Sequence, residues 1–562
     1  MNTSVARDPR LDERISLRFV SVFSWLGVAT LTVLWFAVAY GRALTHPDEG
    51  RYAEIPREML VSGDWITPHL NDLAYLEKPP LQYWATAVTY ALLGPSEWTA
   101  RFWTMLSAWL DVVLVFLLGR RLWNLRTGAI AAGLLASSML HFATGQLMTL
   151  DMAFTCLMTA TVCSFCTAQV NRESAPRAAG RWILAAWALL ALATLTKGVA
   201  APLIASAVLF LYALWQRDRA VLSGLRIGIG LPIFVIITLP WFVLVTRANP
   251  DFLQFFFIRE HLQRYLTHEA QRVEAWWYFI AILAAGVLPW LPQTASALFN
   301  GWRGSVAPGT FDVRRLLWLW CVFVLFFFSL SGSKLAPYVL PALPPLALLT
   351  AAREAPVSVR WSGISLCILL GFALAGIGFV LIAPEMSNDP DVHRTLPFVA
   401  PAAKMFGGIA MVAAVVWWNA RRRQRPLVAA ASIGVAWFLG LALLFFALGQ
   451  DGSLRSGRTL AAQIPAQLAA HAPLFSVQTY DQTLPFYLRR TMTLVDWRDE
   501  FEYGQRHAPE KVMTMAEFER RWVELPQAVA IMPHATYTRF IARGLPMTVL
   551  GEDQERIAVG RP

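Results

Sequence analysis

The sequence predicts a membrane protein built from many α-helices and followed by a small α/β domain. Of the 562 residues, 56% are hydrophobic, only 15% are charged and 24 are tryptophan. The mean hydropathy is +0.46, which is more apolar than a soluble domain can be. Apolar stretches of membrane-spanning length recur as far as residue 448, and the hydropathy then falls. We therefore expect a polytopic bundle and one polar domain.

The distribution of charge and cysteine excludes two other classes of protein. The net charge is +11, but the arginines form short clusters between apolar stretches rather than a long basic, aromatic segment, so we expect no nucleic-acid partner. The cysteines all lie inside hydrophobic stretches, which excludes a disulfide or a thiolate metal site in the polar parts. They are Cys156, Cys163, Cys166, Cys321 and Cys367.

Thirteen crossings follow when the basic turns are assigned to the cytoplasm. The apolar stretch 81–93 is shorter than the roughly 20 residues that a crossing needs, and treating it as an interfacial helix keeps the basic turn 120–126 inside. The N-terminal segment shows no cleavage site for a signal peptide, so we expect it to remain cytoplasmic. The predicted crossings are residues 19–40, 97–119, 127–143, 149–169, 183–196, 199–215, 225–246, 276–298, 316–331, 335–352, 361–383, 404–418 and 427–448.

Because the number of crossings is odd, the C-terminal segment 449–562 should lie outside, together with two outer loops at 41–96 and 247–275. In this segment short strand-like runs alternate with helical ones, which is typical of a small α/β domain. The predicted strands are 474–480, 491–495, 528–532 and 547–550, and the predicted helices are 482–488 and 515–522. This domain contains no catalytic motif that we can identify.

The first outer loop carries the most informative motif, residues 46–54 (HPDEGRYAE), with the adjacent carboxylates Asp48 and Glu49. An ion without partners is costly beside a bilayer, so this motif indicates chemistry at the membrane surface. Alternatively, the two acids only cap the short helix predicted at 53–59, because acids favour helix N-termini. The loop taken alone does not decide between these interpretations.

The predicted topology collects further charged side chains on the outer face. Lys197 and Lys334 occupy short outer turns, where the positive-inside bias disfavours a cation. A helix in the second outer loop would place His261 and Arg264 on one face. The whole set, which we expect to surround a cavity, is Glu77, Lys78, Asp151, Lys197, His261, Arg264 and Lys334.

Each of these residues also has a simpler interpretation. Lys78 could be an interfacial lysine with its ammonium in water, and Arg264 could pair with a nearby acid. Glu77 and His261 could bind a divalent metal ion, but two ligands make a weak site, and a hydrogen-bonded histidine is the simpler state.

A polyprenyl-phosphate sugar is the substrate that fits this set of side chains. The cations would hold the phosphate, the carboxylates would act around the anomeric carbon, and the apolar helices would shelter the lipid tail. A flippase for the same lipid is the alternative from another class. It predicts charges through the depth of the membrane, where Asp111 is the main one.

Several motifs resemble the integral-membrane glycosyltransferases of the C superfamily (GT-C), which use lipid-linked sugars and include the protein O-mannosyltransferases. These motifs are 46–54, 77–80 (EKPP), 196–198 (TKG) and 334–338 (KLAPY). Within the superfamily, residues 51–65 and 260–264 (EHLQR) are most similar to the aminoarabinose transferases. The resemblance implies a GT-C bundle in a Gram-negative inner membrane, with its C-terminal domain in the periplasm.

The same resemblance implies a reaction: 4-amino-4-deoxy-L-arabinose passes from undecaprenyl phosphate to a lipid A phosphate, which gives resistance to polymyxin-type peptides. Relatives with similar motifs act on protein hydroxyls or other lipids, so those acceptors remain alternatives. Asp48 matches the acid usually treated as catalytic, Asp151 is similar to the second acid, and Glu49 is a further candidate. Lys78 and Arg264 would hold the donor phosphate. Lesser candidates for the donor site are Arg51, Tyr52, Tyr75, Lys197, Lys334 and Tyr338.

The acceptor determines what the acids have to do. A phosphate monoester is already largely dianionic at neutral pH and needs no base before it attacks. We therefore expect Asp48 and Asp151 to position the donor and to stabilise positive charge on the sugar. The simplest expectation for the reaction is direct displacement with inversion at the anomeric carbon. We also expect a monomer and no required cofactor.

Overall fold

The computed structural model describes residues 26–266, 274–303, 306–307, 309–353, 359–387, 390–450 and 455–561. The predicted cytoplasmic N-terminus, the start of the first predicted crossing and part of the second outer loop lie outside these residues.

Helices form most of the first 448 residues. In chain order they are α1 (Leu26–Ala37), α2 (Asp48–Ser62), α3 (Leu81–Leu93), α4 (Glu97–Leu122), α5 (Leu125–Ala136), α6 (Met139–Gln146), α7 (Leu150–Val170), α8 (Pro176–Lys197), α9 (Ala200–Gln216), α10 (Arg219–Ser223), α11 (Ile227–Ala248), a π-helix (Gln254–Gln263), α12 (Arg264–Leu266), α13 (Tyr278–Gly286), α14 (Leu291–Asn300), α15 (Val313–Ser329), a 3₁₀ helix (Ala336–Ala342), α16 (Leu343–Ala351), α17 (Val359–Met386), α18 (Pro390–Arg422) and α19 (Pro426–Leu448).

Among the described residues, seven helices are long and apolar enough to cross a membrane, or eight if the bent pair α5–α6 is one span. Each predicted crossing coincides with helical structure, but several are short or broken, so the number thirteen remains a prediction. The stretch 127–143 forms α5 and α6, which meet at an angle of 62°. At this break the hydroxyls of Ser137 and Ser138 donate to carbonyls of the preceding turn, which commonly bends a helix.

The first outer loop is folded around α2 and α3, with a small hairpin of β1 (His69–Leu70) and β2 (Leu73–Ala74). Helix α2 is longer than predicted and begins at Asp48, so both acids lie in its first turn, and its N-cap residue Pro47 makes no side-chain capping hydrogen bond. Helix α3 confirms the short helix predicted at 81–93.

The C-terminal segment contains a six-stranded sheet in the order β5–β4–β3–β6–β8–β7. The first four are parallel, while β8 runs antiparallel to its neighbours β6 and β7. The strands are β3 (Leu474–Val477), β4 (Thr493–Val495), β5 (Val512–Met513), β6 (Val529–Pro533), β7 (Thr548–Glu552) and β8 (Arg556–Gly560). The helices are α20 (Arg458–Gln463), α21 (Ala466–His471), α22 (Leu484–Leu488), α23 (Glu502–His507), α24 (Met515–Glu524) and α25 (His534–Ala542), with 3₁₀ turns at Asp499–Phe501 and Pro509–Lys511.

All four predicted strands and both predicted helices are confirmed in this domain. The sequence patterns missed β5, which has only two residues, and β8, which pairs through the backbone with β6 and β7. The capping box of Thr514 and Glu517 marks the start of α24, as such a pair does in other helices.

The C-terminal domain packs directly against the first outer loop. Tyr52 and Tyr83 of the loop share an apolar cluster with Phe486 of the domain. A Cβ atom at Gly50 would lie 2.5 Å from the carbonyl carbon of Gln482, so only glycine permits this approach of α2 to the domain. Both parts therefore lie on the same side of the bundle.

Candidate active site

The two adjacent acids of the first loop have opposite environments. The Asp48 side chain is 52% exposed, and its contact with Arg51 is 3.8 Å long. The Glu49 side chain is 3% exposed and accepts hydrogen bonds from the Arg101 guanidinium, the backbone N–H of Met148 and both donors of Thr45. Burial raises the pKa of Glu49, but the charge and hydrogen bonds of Arg101, the charge of Arg42 and the N–H of Met148 together outweigh it and hold the pKa at about 2.

The environment of Glu49 corrects the prediction that it is a catalytic candidate. Its oxygens are occupied by protein donors at 2.7–3.0 Å, which leaves no access for a substrate. Glu49 instead ties α2 to α4 and to the start of α7. Asp48 remains the acid that a substrate can reach.

Three cations from distant segments, Lys78, Lys197 and Arg264, lie close enough to influence one another. Burial and the nearby charge of Arg264 lower the pKa of Lys78 to about 8, with a further contribution from Lys197. The Lys78 ammonium donates to the carbonyl of Glu77 at 3.1 Å, while Arg264 contacts Glu260 at 2.8 Å and Glu77 at 3.7 Å. The structure thus assembles the predicted cluster of Glu77, Lys78 and Arg264.

Lys197 and Tyr338 complete this cluster. Lys197 forms an ion pair with Asp151, and its ammonium lies 4.4 Å from the centre of the Tyr338 ring. Tyr338 also interacts with Arg264. Burial lowers the pKa of Arg264, but Tyr338 and Glu77 act in the opposite direction, and the pKa is raised. Lys334 is directed elsewhere, because its ammonium donates to the carbonyl of Glu274 at 3.0 Å.

Arg51 connects the acidic loop to the C-terminal domain. Its guanidinium forms an ion pair with Glu500 and donates to the hydroxyl of Tyr75 at 3.0 Å. Burial raises the pKa of Glu500 to about 7, although Arg51 acts in the opposite direction. The Tyr52 ring lies 6.0 Å from the Arg51 guanidinium. Arg51, Tyr52 and Tyr75 therefore lie together on one side of the site. The C-terminal domain contacts this group through the ion pair of Glu500 with Arg51.

Comparison with known proteins identifies the family. Residues 460–561 match the family model of the aminoarabinose transferase C-terminal domain, and residues 20–256 match that of dolichyl-phosphate-mannose-protein mannosyltransferase. The undecaprenyl phosphate-alpha-4-amino-4-deoxy-L-arabinose arabinosyl transferase of Edwardsiella ictaluri is 36% identical over 75% of this chain and 77% of its own length. The enzyme of the same name from Pectobacterium atrosepticum is 32% identical over 85% and 87%. The chain belongs to this arabinosyl transferase family.

Solved structures agree with this assignment. The crystal structure of ArnT from Cupriavidus metallidurans bound to undecaprenyl phosphate is 31% identical, covers 96% of this chain and 98% of its own, and superposes with a TM-score of 0.88. The archaeal oligosaccharyltransferase AglB from Archaeoglobus fulgidus, at 10% identity and a TM-score of 0.53, shares the fold alone. These findings confirm the predicted GT-C fold, the multi-pass membrane architecture and the glycosyltransferase class.

Three residues of this arabinosyl transferase site were missed in the sequence. Arg101 lies inside the second predicted crossing, where a buried cation is a signal of a charged partner. Glu260 was visible within the motif EHLQR but had no evident partner. Glu500 lies in a polar segment of the C-terminal domain without any motif, so its contact with Arg51 could not be inferred from the sequence.

The geometry at Glu77 and His261 does not fit a metal site. The His261 ring donates from Nδ1 to the carbonyl of Phe256, 2.7 Å away, and burial together with Lys78 lowers the pKa of His261 to about 4. Glu77 contacts Arg264. In the described part of the chain, no group of three or more histidine, cysteine or acidic side chains is arranged to hold a metal ion, and protein zinc sites use at least three ligands.

Proposed function

We propose that this arabinosyl transferase moves 4-amino-4-deoxy-L-arabinose from undecaprenyl phosphate to a phosphate of lipid A. The reaction would take place at the periplasmic face of a bacterial inner membrane. Family membership supports the transferred sugar, and the Cupriavidus relative bound to undecaprenyl phosphate supports the lipid-phosphate donor. The observation that carries the proposal is the cluster of Lys78, Arg264 and Lys197.

The cations of this cluster lie close together, as they do in an anion-binding site. The pKa of Lys78 is lowered to about 8 by burial and by the cations Arg264 and Lys197, against the opposing effect of Glu260 and Glu77. A bound phosphate would reverse this effect, since an anion stabilises the charged form of each cation. A flippase, in contrast, would need charged groups distributed along a path through the membrane.

The bond changes follow from this placement. An oxygen of the acceptor phosphate forms a bond with the anomeric carbon while the bond from that carbon to undecaprenyl phosphate breaks, and the electron pair remains on the leaving phosphate. Lys78 and Arg264 would neutralise this charge. The acceptor is already dianionic, so no general base is required. The reaction would invert the anomeric carbon.

The two acids have different roles in this proposal. Asp151 forms an ion pair with Lys197 and would hold that ammonium beside the phosphate. Asp48 is half exposed and would stabilise positive charge on the sugar, either on its amine or on the oxocarbenium-like ring. No step in this proposal uses a divalent metal, and we expect a monomer to be the active unit. Dialysis against EDTA should therefore leave the rate unchanged.

The test is mass spectrometry of lipid A from Gram-negative cells that lack their own transferase but make the donor. Cells expressing the wild type should add a pentosamine mass, whereas Asp48→Asn and Lys78→Ala should not. Lys511→Ala is the matched control, because its exposed ion pair with Asp72 lies at the edge of the C-terminal domain, and it should behave as the wild type.

The possible results separate the site from the acceptor. If both site variants still add the sugar, the assignment of the site is wrong. If the wild type modifies a protein or another lipid but never lipid A, the alternative acceptor is correct.

A further inference from the structure

A buried acid and histidine lie outside the site, in the interior of the helix bundle. Asp111 of α4 and His141 of α6 are 0% and 1% exposed, and His141 Nε2 lies 3.3 Å from Asp111 Oδ2. Among the described residues, none of the four polar side-chain atoms of this pair has a partner in hydrogen-bonding geometry, so the pair is held by proximity and charge alone. Such a pair is costly to bury, and apolar side chains of similar size often give equal or greater stability. Its presence therefore calls for a role other than stability.

The pair lies at one end of a short half-helix that is wedged into the bundle. Helix α6 follows the 62° break after α5 and packs closely on α1 and α4. A Cβ atom at Gly145 would lie 2.6 Å from the Trp35 ring and 2.8 Å from the Ala108 methyl. His141 lies one helical turn before Gly145, and Asp111 lies three residues after Ala108. The pair therefore lies one turn from this close contact and joins α6 to α4.

The other end of α6 leads directly to the acids of the site. The carbonyl of Gln146 accepts from Arg42, and its side-chain amide donates to the carbonyl of Trp35 at 2.9 Å. Two residues later, the backbone N–H of Met148 donates to Glu49 at 3.0 Å. Asp151 follows in the first turn of α7. A shift of α6 would therefore move Asp151 through the chain and Asp48 through its neighbour Glu49.

We propose that Asp111 and His141 are positioning residues, which fix the rotation of α6 and so the places of Asp48 and Asp151. A polar pair in an apolar environment can specify one register where apolar side chains allow several. Misplacement of a reacting group by about 1 Å can lower a rate about 100-fold. The proposal deepens the proposed function and rests on it for the kinetic part of its test.

The experiment uses the purified full chain with an undecaprenyl-phosphate aminosugar donor and lipid A. Replacing both residues by leucine should lower kcat about 10- to 100-fold while the KM for the donor and the midpoint of thermal unfolding stay at or near the wild-type values. Exchanging the pair, Asp111→His with His141→Asp, should recover part of kcat.

Gln293→Leu is the matched control. It removes a buried amide that is hydrogen-bonded to Ser365 between α14 and α17, away from α6, and should leave kcat within about twofold, as independent sites do. Hydrogen exchange gives a readout that does not depend on activity. The amide of Met148 should exchange faster in the leucine pair than in the wild type.

Two results would overturn the inference. One is a leucine pair with wild-type kcat and wild-type exchange at Met148. The other is a loss of kcat that always accompanies a loss of folding and is not recovered by the exchanged pair, which would make the contact purely structural. If the wild type transfers no sugar while Met148 still exchanges faster in the leucine pair, the proposed function fails and the positional role of the pair stands.

Discussion

Two charged clusters on the same side of the bundle differ in how far their charges are satisfied. Around Glu49, the carboxylate is filled by Arg101, Met148 and Thr45, and Arg101 also donates to the carbonyls of Arg42 and Ala43. Around Lys78, cations crowd together, and the pKa of Lys78 falls to about 8. The Glu49 cluster is a scaffold, whereas Lys78, whose ammonium donates to a backbone carbonyl rather than to a carboxylate, has the character of a binding residue.

The largest effect should follow from breaking the scaffold. Arg101→Leu leaves the buried Glu49 without its closest cation, since Arg42 lies 3.8 Å away, and loss of one partner of a buried ion pair costs about 3–5 kcal/mol. The free energy of unfolding, measured in detergent, should fall by that amount. The double variant with Glu49→Leu should recover part of the loss. An Arg101→Leu protein as stable as the wild type would contradict the scaffold role.

Asp48→Asn should separate activity from stability. Because Asp48 is half exposed and makes one long contact, unfolding should change by less than about 0.5 kcal/mol. Loss of charge stabilisation in the transition state should lower kcat by about 100-fold or more. In Glu49→Gln, by contrast, the main effect should be a clear fall in the free energy of unfolding rather than in kcat. Similar profiles for both variants would remove the distinction between the two clusters.

The cluster around Lys78 should also make the KM for the donor depend on pH. Since the pKa of Lys78 is lowered to about 8, its ammonium loses its proton as the pH rises above 8, and the donor phosphate loses a cation. At pH 9 Lys78 remains charged in about a tenth of the molecules, so the KM for the donor should rise by up to about tenfold. In the Lys78→Arg variant the KM for the donor should stay constant over this pH range, because arginine keeps its charge. A wild-type KM without this rise would count against Lys78 as a phosphate ligand.

The smallest effect should come from an exposed pair. Lys511 contacts Asp72 at 2.7 Å, with side chains 38% and 64% exposed. Exposed ion pairs contribute about 0.2–1 kcal/mol, so Lys511→Ala should lower stability only slightly and leave kcat and KM unchanged. A large loss of activity would mean that docking of the C-terminal domain is more sensitive than its buried contacts indicate.

Much of the fold was predictable because its signals are local. Apolar length, basic turns and alternating patterns identified the helical segments and the strands β3, β4, β6 and β7. The breaks within 127–143 and 335–352 were not predicted, because an apolar composition does not reveal where a helix bends. Lys78, Arg264, Asp151 and Lys197 were grouped correctly by their predicted side of the membrane.

The amino-acid sequence was sufficient for the class of protein, the family and the group of charged segments that meet outside the bundle, since hydropathy, charge bias and motifs are properties of short stretches. Tertiary structure alone decided which acid of the pair Asp48 and Glu49 is exposed and which is buried. That choice depends on Arg101, which lies 52 residues from Glu49 in the chain. Likewise, Glu500 reaches Arg51 only because the C-terminal domain docks on the loop. Whether a buried charge is satisfied is a property of its neighbours in space, and a linear sequence does not contain them.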